Sequence, residues 1–548
     1  MSRSSFSSST KRSSPSKSGG STKKGGKLGG KPDYRNRKRS SKQRNKQDVL
    51  SGPIRPMLLI AHPDTGEILE HPHLEMALDN GLDVVCPGKK DLKPVPEGWD
   101  IMALPGTEPI GFDPDTGEFV TLGAFTYLDK DHQMATITPL AVACHPPPGY
   151  VRTHHPAAHW IDVTHPDEKF KKFGGGQLSV FQDVPEVDKE ADAAEQKKNP
   201  ASNPKNTSSG GDDARPGLPL WAYTAVGYGK HGMVASFFQA DETSRWSPDL
   251  FYKEELEDKI AARVDEDKEN PVLNQIAQCA KNYLCCCAQN IFYERWEGAV
   301  PIAPACTAAC LGCISKDPEW DTPTPQKRLK FSPKAEDISR VMIRHLKVAP
   351  EPMMSFGQGC EGEPTMYGEA LVGSVRLTRA ETKRGIININ TNGSRPQVIR
   401  DAAKEGAQAL RISINTFDEE VYTAYYRPGD YTLATVMESL YAGRDAGMHV
   451  SINFLIWPGW TDRLAELEKV SELVEDGVIQ MIQLRNLCVD PGHFKSILPP
   501  REKRGMLLGM KGFVDELHRR HPKLRFGTFN PRLAAEWYEE TDALYGQG

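Results

Sequence analysis

Long apolar runs are what this 548-residue sequence most plainly lacks. No uninterrupted apolar segment approaches the roughly 20 residues of a bilayer-spanning helix, which argues against a membrane role. The amino terminus lacks the apolar core of a secretion signal, so a cytoplasmic location is expected. In that reducing setting the 11 Cys do not read as a disulfide framework. Residues 1–56 carry almost no large apolar side chains, and Phe6 and Tyr34 are the only aromatics. Such a segment cannot bury enough surface to offset its ordering entropy, so it reads as a disordered basic tail. Residues 1–48 hold 15 Lys or Arg against Asp33 and Asp48, a net +13 that leaves residues 49–548 at -18. The tail is either a nucleic-acid-contacting arm or a solubilising extension, and the shortage of interleaved aromatics favours the second.

Beyond the tail, composition divides the chain. Residues 57–165 resemble a small β-rich domain. The turn sequence Asp64-Thr65-Gly66-Glu67 recurs as Asp115-Thr116-Gly117-Glu118 beside strand-like runs, a hairpin signal. His154, His155, His159 and His165 crowd its end without regular ligand spacing, so solvated loop histidines are expected rather than a metal site. Residues 166–215 have linker composition, with an Asn206-Thr207-Ser208 sequon that means little without a secretion signal. Residues 216–298 read as a helical lead-in, with one helix expected over 271–296. Its consecutive Cys285, Cys286 and Cys287 point about 100° apart on a helix and cannot share one metal, whereas Cys279 and Cys286 would share a face.

From residue 299 onward strand-like runs alternate with amphipathic helices. The strands are expected at 352–356, 386–391, 409–414, 449–455 and 478–484, with helices at 396–404, 433–446 and 463–474. Such alternation gives a parallel sheet covered by helices. With the strand before Cys306 there are six β/α units, too few for a closed eight-unit barrel. The expected fold class is therefore α/β, an open partial (β/α)6 TIM-like barrel over 299–490. Residues 491–548 form an extension, with a helix at 502–518, a strand at 524–528 and a final helix.

The stretch Cys306-Thr307-Ala308-Ala309-Cys310-Leu311-Gly312-Cys313 concentrates the chemistry. With this Cys content, roughly 0.004 such patterns would arise by chance. A structural zinc normally takes four protein ligands and an iron–sulfur cube four Cys, so three thiols leave one coordination position without a Cys ligand. C-x3-C-x2-C after a first strand resembles the radical S-adenosylmethionine (SAM) superfamily. That resemblance implies a [4Fe–4S] cluster held by Cys306, Cys310 and Cys313, with SAM chelating the fourth iron. The family often has an aromatic just before the third Cys, where this chain has Gly312.

Other strand ends fit the same resemblance. Gly362-Glu363-Pro364 is similar to a Gly-Gly-Glu-Pro motif that holds the SAM amino group, with Glu361 in place of the first Gly. Asn392, Ser413 and Asn415 stand where the family binds the SAM carboxylate and ribose, and Pro458-Gly459 where it supports the adenine. Arg485 can reach a substrate or the SAM carboxylate. Cys360 and Cys488 lie near strand ends as candidate catalytic thiols or as inert buried residues. Tyr425, Tyr426 and Arg427 either line the substrate mouth or pack on a helix. The resemblance implies reductive cleavage of SAM to a 5′-deoxyadenosyl radical that abstracts a substrate hydrogen, with electrons from a flavodoxin or ferredoxin. An RNA-modifying factor using the basic tail, or a non-catalytic iron–sulfur protein, remain the alternatives.

Overall fold

A computed structural model describes residues 55–88, 90–160, 218–242, 244–316 and 324–533. Nearly all of the basic tail, the linker, its sequon, His165 and the final helix of the extension lie outside the described residues. Residues 54–548 form one compact unit.

Seven parallel strands build the α/β sheet. They are β1 (Glu297–Ala299), β2 (Met353–Phe356), β3 (Ile386–Thr391), β4 (Ala409–Ile414), β5 (His449–Ile456), β6 (Met481–Asn486) and β7 (Arg525–Gly527). Their spatial order is their chain order, and β1 and β7 do not pair, so the barrel stays open. The expected six β/α units are present, and the short β7 extends them in parallel beside β6.

Alternation along each strand decides what the two faces do. Ile387, Ile389, Leu410, Ile412, Val450 and Ile452 point outward into the main core beneath the helices. The opposite parity carries Asn388, Asn390, Arg411, Ser451, Asn453 and Gln483. These fall in register across the sheet as Asn390–Arg411–Ser451 and Asn453–Gln483. Parallel strands covered on both faces usually read as continuous apolar runs. A polar inner face therefore lines a site rather than a core. Below it, Met353, Ile386 and Ala409 pack with Leu533 as an apolar plug at the amino-terminal strand ends.

Helices α1 (Ala335–Val348), α2 (Gly368–Glu381), α3 (Pro396–Lys404), α4 (Glu419–Tyr426), α5 (Leu433–Asp445), α6 (Leu464–Glu475), α7 (Pro491–Ile497) and α8 (Met510–Arg520) follow in order. In α1, Ile338, Val341, Met342 and Leu346 recur at spacings of three to four and are buried, while Arg340 and Arg344 face outward. The helix expected over 502–518 begins only at Met510, because Gly505 and Gly509 turn left-handed at φ 71° and 73°.

Two expectations before the barrel are corrected. The helix over 271–296 is two helices, Pro271–Asn282 and Cys286–Tyr293, broken where Leu284 adopts φ 50°. Side chains hold the break: the Tyr252 hydroxyl donates to Leu284 O (2.9 Å) and Gln289 Nε2 to Ala280 O (3.1 Å). Cys279 and Cys286 consequently share no helix face. The lead-in over 216–298 also opens with strands rather than helix. Thr224–Gly229 and Gly232–Ala235 join an antiparallel sheet with Met57–Ala61, Ile68–Met76 and Leu140–His145. Val226 and Ala235 fill its core with Leu59, Ala61 and Val142, a period-two pattern that suits a strand. Both duplicated turns form hairpins, closed by Gly66 N to His62 O (2.9 Å) and Gly117 N to Asp113 O (2.8 Å).

This β-rich region sits on the carboxyl ends of β5 and β6. Arg152 is fully buried, donates to Leu487 O (2.9 Å), and lies 4.7 Å above the Trp457 ring. Its backbone N–H donates to Asn486 Oδ1 (3.0 Å), and Asn486 Nδ2 donates to Tyr150 O (2.8 Å).

Candidate functional site

The loop from Cys306 to Cys313 is fastened at several points. Ala309 N and Leu311 N donate to Tyr426 O (3.1 Å) and Tyr425 O (3.0 Å) at the end of α4. Thr307 accepts from Gly429 N through its carbonyl and from Asn392 Nδ2 through its hydroxyl, both at 2.8 Å. These bonds fix the three thiols without using them. The Sγ atoms do not all lie within 4.8 Å of one another.

Arg328 supplies the charge that a thiolate trio needs. Its Nη2 lies 3.4 Å from Cys313 Sγ and its Nε donates to Ser315 Oγ at 2.9 Å. Burial pushes the Cys306 thiol up to about 11 and Cys310 well above its ordinary value. Burial acts on Cys313 too, but Arg328 and then Ser315 bring that thiol net below its ordinary value. Sequence reasoning missed Arg328, because nothing in its local pattern marks it; it meets the thiols only through the fold.

Gly312 has a spatial cause. A Cβ there would lie 2.8 Å from Cys488 O and 2.9 Å from the Tyr425 hydroxyl. The side chain of Tyr425, arriving from α4, occupies the space an aromatic at 312 would need. Tyr425 and Tyr426 are buried by packing on this helix rather than lining an open mouth.

The loop after β2 lies flat on the strand that leads to Cys306. Gly362 N donates to Ala303 O (2.6 Å) and Glu363 N to Ala305 O (2.9 Å). A Cβ at Gly362 would come 2.0 Å from Ala305 O, so only glycine fits. The Glu361 carboxylate accepts four backbone N–H bonds, from Ile302, Ala303, Gly357 and Gln358, between 2.6 and 3.1 Å. Burial nevertheless pushes it up to about 7. Glu361 thus staples β1's continuation to the β2 loop, a structural task distinct from that of the glycine it replaces. Glu363 Oε1 accepts from Thr365 N, Thr365 Oγ1 and Thr391 Oγ1, while Oε2 accepts from Asn392 N (2.8 Å) and keeps a lone pair. Pro364 opens the 3-10 turn that Glu363 caps.

Residues 300–473 match the family model described as the Radical SAM superfamily. The chain carries a radical SAM domain. Among solved structures, native anSMEcpe with bound AdoMet is 17% identical, the match covering 45% of this chain and 62% of that one at a TM-score of 0.29. Streptococcus suis SuiB bound to precursor peptide SuiA is 16% identical, covering 50% of this chain and 58% of that one at 0.30. Methylornithine synthase is 13% identical, covering 53% and 75% at 0.30. The match spans less than two thirds of the first two of these chains. Comparison with curated protein sequences finds no match.

The radical SAM domain uses its remaining candidate residues unequally. Asn415, at the end of β4, is 1% exposed, and neither atom of its amide has a protein partner. An orphaned buried amide at a carboxyl strand end fits a bound polar group. Ser413 Oγ faces inward and accepts from Asn453 Nδ2 (3.1 Å). Asn392 instead spends its amide inside the protein, on Thr307 and on Ser394 N (3.0 Å). Pro458 and Gly459 press against Asn80 and Gly81 of the β-rich region, with Pro458 O 3.2 Å from His155 Nε2. Cys360 packs in the core beside Cys279, whose thiol contact, together with burial, holds it well above its ordinary value. Cys488 sits at the β6 end beside the loop, with Sγ 3.5 Å from Asn486 O. Arg485 faces the inner surface.

Among the described residues of the histidine cluster, each ring faces a different partner. His155 is buried against Trp457 at 4.3 Å between ring centres, His154 bonds Ser236, and His159 faces Glu108. His155 thus departs from the solvated loop that was expected: it serves the seam to the barrel.

Among the described residues no helix is long and apolar enough to cross a membrane.

Proposed function

We propose that this radical SAM domain is catalytic, holding a [4Fe–4S] cluster on Cys306, Cys310 and Cys313 with S-adenosylmethionine beside it. The carrying observation is a trio of half-buried thiols on one loop, with Arg328 against Cys313 and backbone bonds to α4 fixing the loop. When bound, the reduced cluster and SAM supply a carbon-centred radical able to take a hydrogen atom from a substrate. The protein's part is placement and exclusion. Gly362 lets the Glu363 carboxylate approach the loop, and its free lone pair can accept from an ammonium group. Asn415 offers an amide donor and acceptor, and Ser413 a hydroxyl, toward polar groups of the cofactor. The tyrosine wall of α4 keeps water from the thiols.

On this reading a small reductant protein, a flavodoxin or ferredoxin, delivers the electron, and the enzyme works in the cytoplasm. A role on RNA would rest on the basic tail, and salt-sensitive RNA binding lost on deleting residues 1–48 would support it. The test of the main reading is Cys310→Ala in anaerobically reconstituted protein. The expected result is joint loss of iron and of reductive SAM cleavage; cleavage retained without Cys310 would contradict the assignment.

A further inference from the structure

Among the described residues, two guanidinium groups stand on the inner face of the barrel, with the carboxylates of Glu297 and Asp241 acting on them from nearby. Arg411, in the middle of β4, is 8% exposed. Its Nη1 donates to neutral acceptors only, Gln483 Oε1 at 2.8 Å and Asn530 Oδ1 at 3.4 Å, and its Nε has no partner. The guanidinium of Arg485, on β6 and nearer the carboxyl ends, makes no hydrogen bond or ion pair with any described residue and lies 5.7 Å from the Phe529 ring centre. The Arg485 side chain is half-buried, with the parity of the inner face. The carboxylate of Glu297 is nearby but already engaged: Oε1 accepts from Ser355 Oγ (2.6 Å) and Asn530 Nδ2 (2.7 Å). It forms no ion pair with either arginine within 4.0 Å among the described residues.

Asp241, whose charge also acts on Arg485, accepts from Thr528 N (2.9 Å) and Phe529 N (3.1 Å) and pairs with neither arginine, so both guanidinium groups lack a contacting counterion among the described residues. Burial and the neighbouring Arg485 both act on Arg411, holding its guanidinium down at about 10. It is still charged at neutral pH. A buried charge without a counterion is destabilising, so a fold retains one where a ligand supplies the partner. Planar guanidinium forks match the oxygens of carboxylate and phosphate. The surrounding side chains are amides and hydroxyls: Asn388 donates to Ser355 Oγ (3.0 Å) and Asn390 Oδ1 (2.8 Å), and the Asn453 Oδ1 atom has no partner. The wall therefore suits a small polar molecule or side chain, and the apolar plug at Met353, Ile386 and Ala409 ends it below.

We infer that the substrate carries an anionic group, a carboxylate or a phosphate, which Arg411 and Arg485 hold on the inner face of the barrel. This rests on the catalytic reading of the domain but is separable from it. Both arginines act as binding residues and set the depth at which the substrate enters.

The experiment uses the full chain, reconstituted anaerobically and saturated with SAM, and follows thermal unfolding with added succinate, inorganic phosphate or neutral succinamide. Succinate or phosphate is expected to raise the Tm and succinamide to leave it unchanged. Whichever of the two acts at the lower concentration identifies the anionic group. In Arg485→Gln the Tm without anion should rise, because an unpaired buried charge has gone, and half-saturation by the anion should move at least tenfold higher. Arg519→Gln, at the surface, should behave as wild type. If Arg485→Gln does not fold, Arg485→Met takes its place under the same criteria. Equal responses to succinate and succinamide would overturn the inference. So would a tenfold loss of SAM binding in Arg485→Gln with the anion response intact, which would give the guanidinium to the cofactor. Absence of SAM cleavage by wild type would instead remove the catalytic reading while leaving anion binding measurable.

Discussion

At Gly362 the whole arrangement rests on one missing methyl group. Gly362→Ala puts a Cβ 2.0 Å from Ala305 O and 3.0 Å from Cys306 N, backbone that cannot turn aside as a side chain would. We expect a loss of about 2 kcal/mol in urea unfolding together with lower iron loading, since the same loop flanks Cys306. Unchanged stability would mean the loop does not lie where it is described. A second residue sets a pH dependence. Burial holds His345 down at about 4, and its Nε2 lies 2.8 Å from Trp296 O. The folded protein then binds fewer protons here than the unfolded chain, so its contribution is complete above about 6.5 and is lost as pH falls toward 4. The total is about 3 kcal/mol. Urea unfolding of wild type and His345→Gln across this range should show the difference between them shrinking at low pH; a constant difference would contradict it.

Those residues also show what a sequence displays. The thiol spacing and the Gly-Glu-Pro triplet were legible because local chain geometry dictates them. Arg328 was not, since its role depends on a loop folding back by 15 positions onto Cys313. Gly312 read as a departure, yet it follows from Tyr425 arriving through space.

Among elements, strand alternation was the neglected signal. Ile386-Ile387-Asn388-Ile389-Asn390-Thr391 already separates an apolar outer face from a polar inner one, and the other central strands repeat it. The six β/α units were readable from runs and lengths, while the inner face needed attention to parity. The broken helix before β1 was unreadable for a different reason. Its 3.6-residue pattern continues across Leu284, and distant Tyr252 and nearby Gln289 decide the break by capturing carbonyls. The seam between the β-rich region and the barrel is testable at Arg152. Arg152→Met keeps apolar contact with Trp457 but strands the Leu487 carbonyl, so we expect about 3 kcal/mol lost in urea unfolding. A loss below 0.5 kcal/mol, the scale of an ordinary surface change, would mean that the seam is not built there.

For the whole molecule, the β-rich region and the barrel share one compact unit, with strands from both sides of the 166–215 stretch in a single sheet. Composition suggested separate modules because that stretch interrupts them in sequence, although the strands beyond it return to the same sheet. Calorimetry of residues 54–548 should therefore give one cooperative transition; two well-separated transitions would divide the unit. The central claim is that three thiols hold a cluster open to SAM. Its most direct test is the electron paramagnetic resonance spectrum of anaerobically reconstituted, reduced protein before and after adding SAM. The account expects a [4Fe–4S]+ signal whose shape changes with SAM; no cubane signal, or one indifferent to SAM, would contradict it.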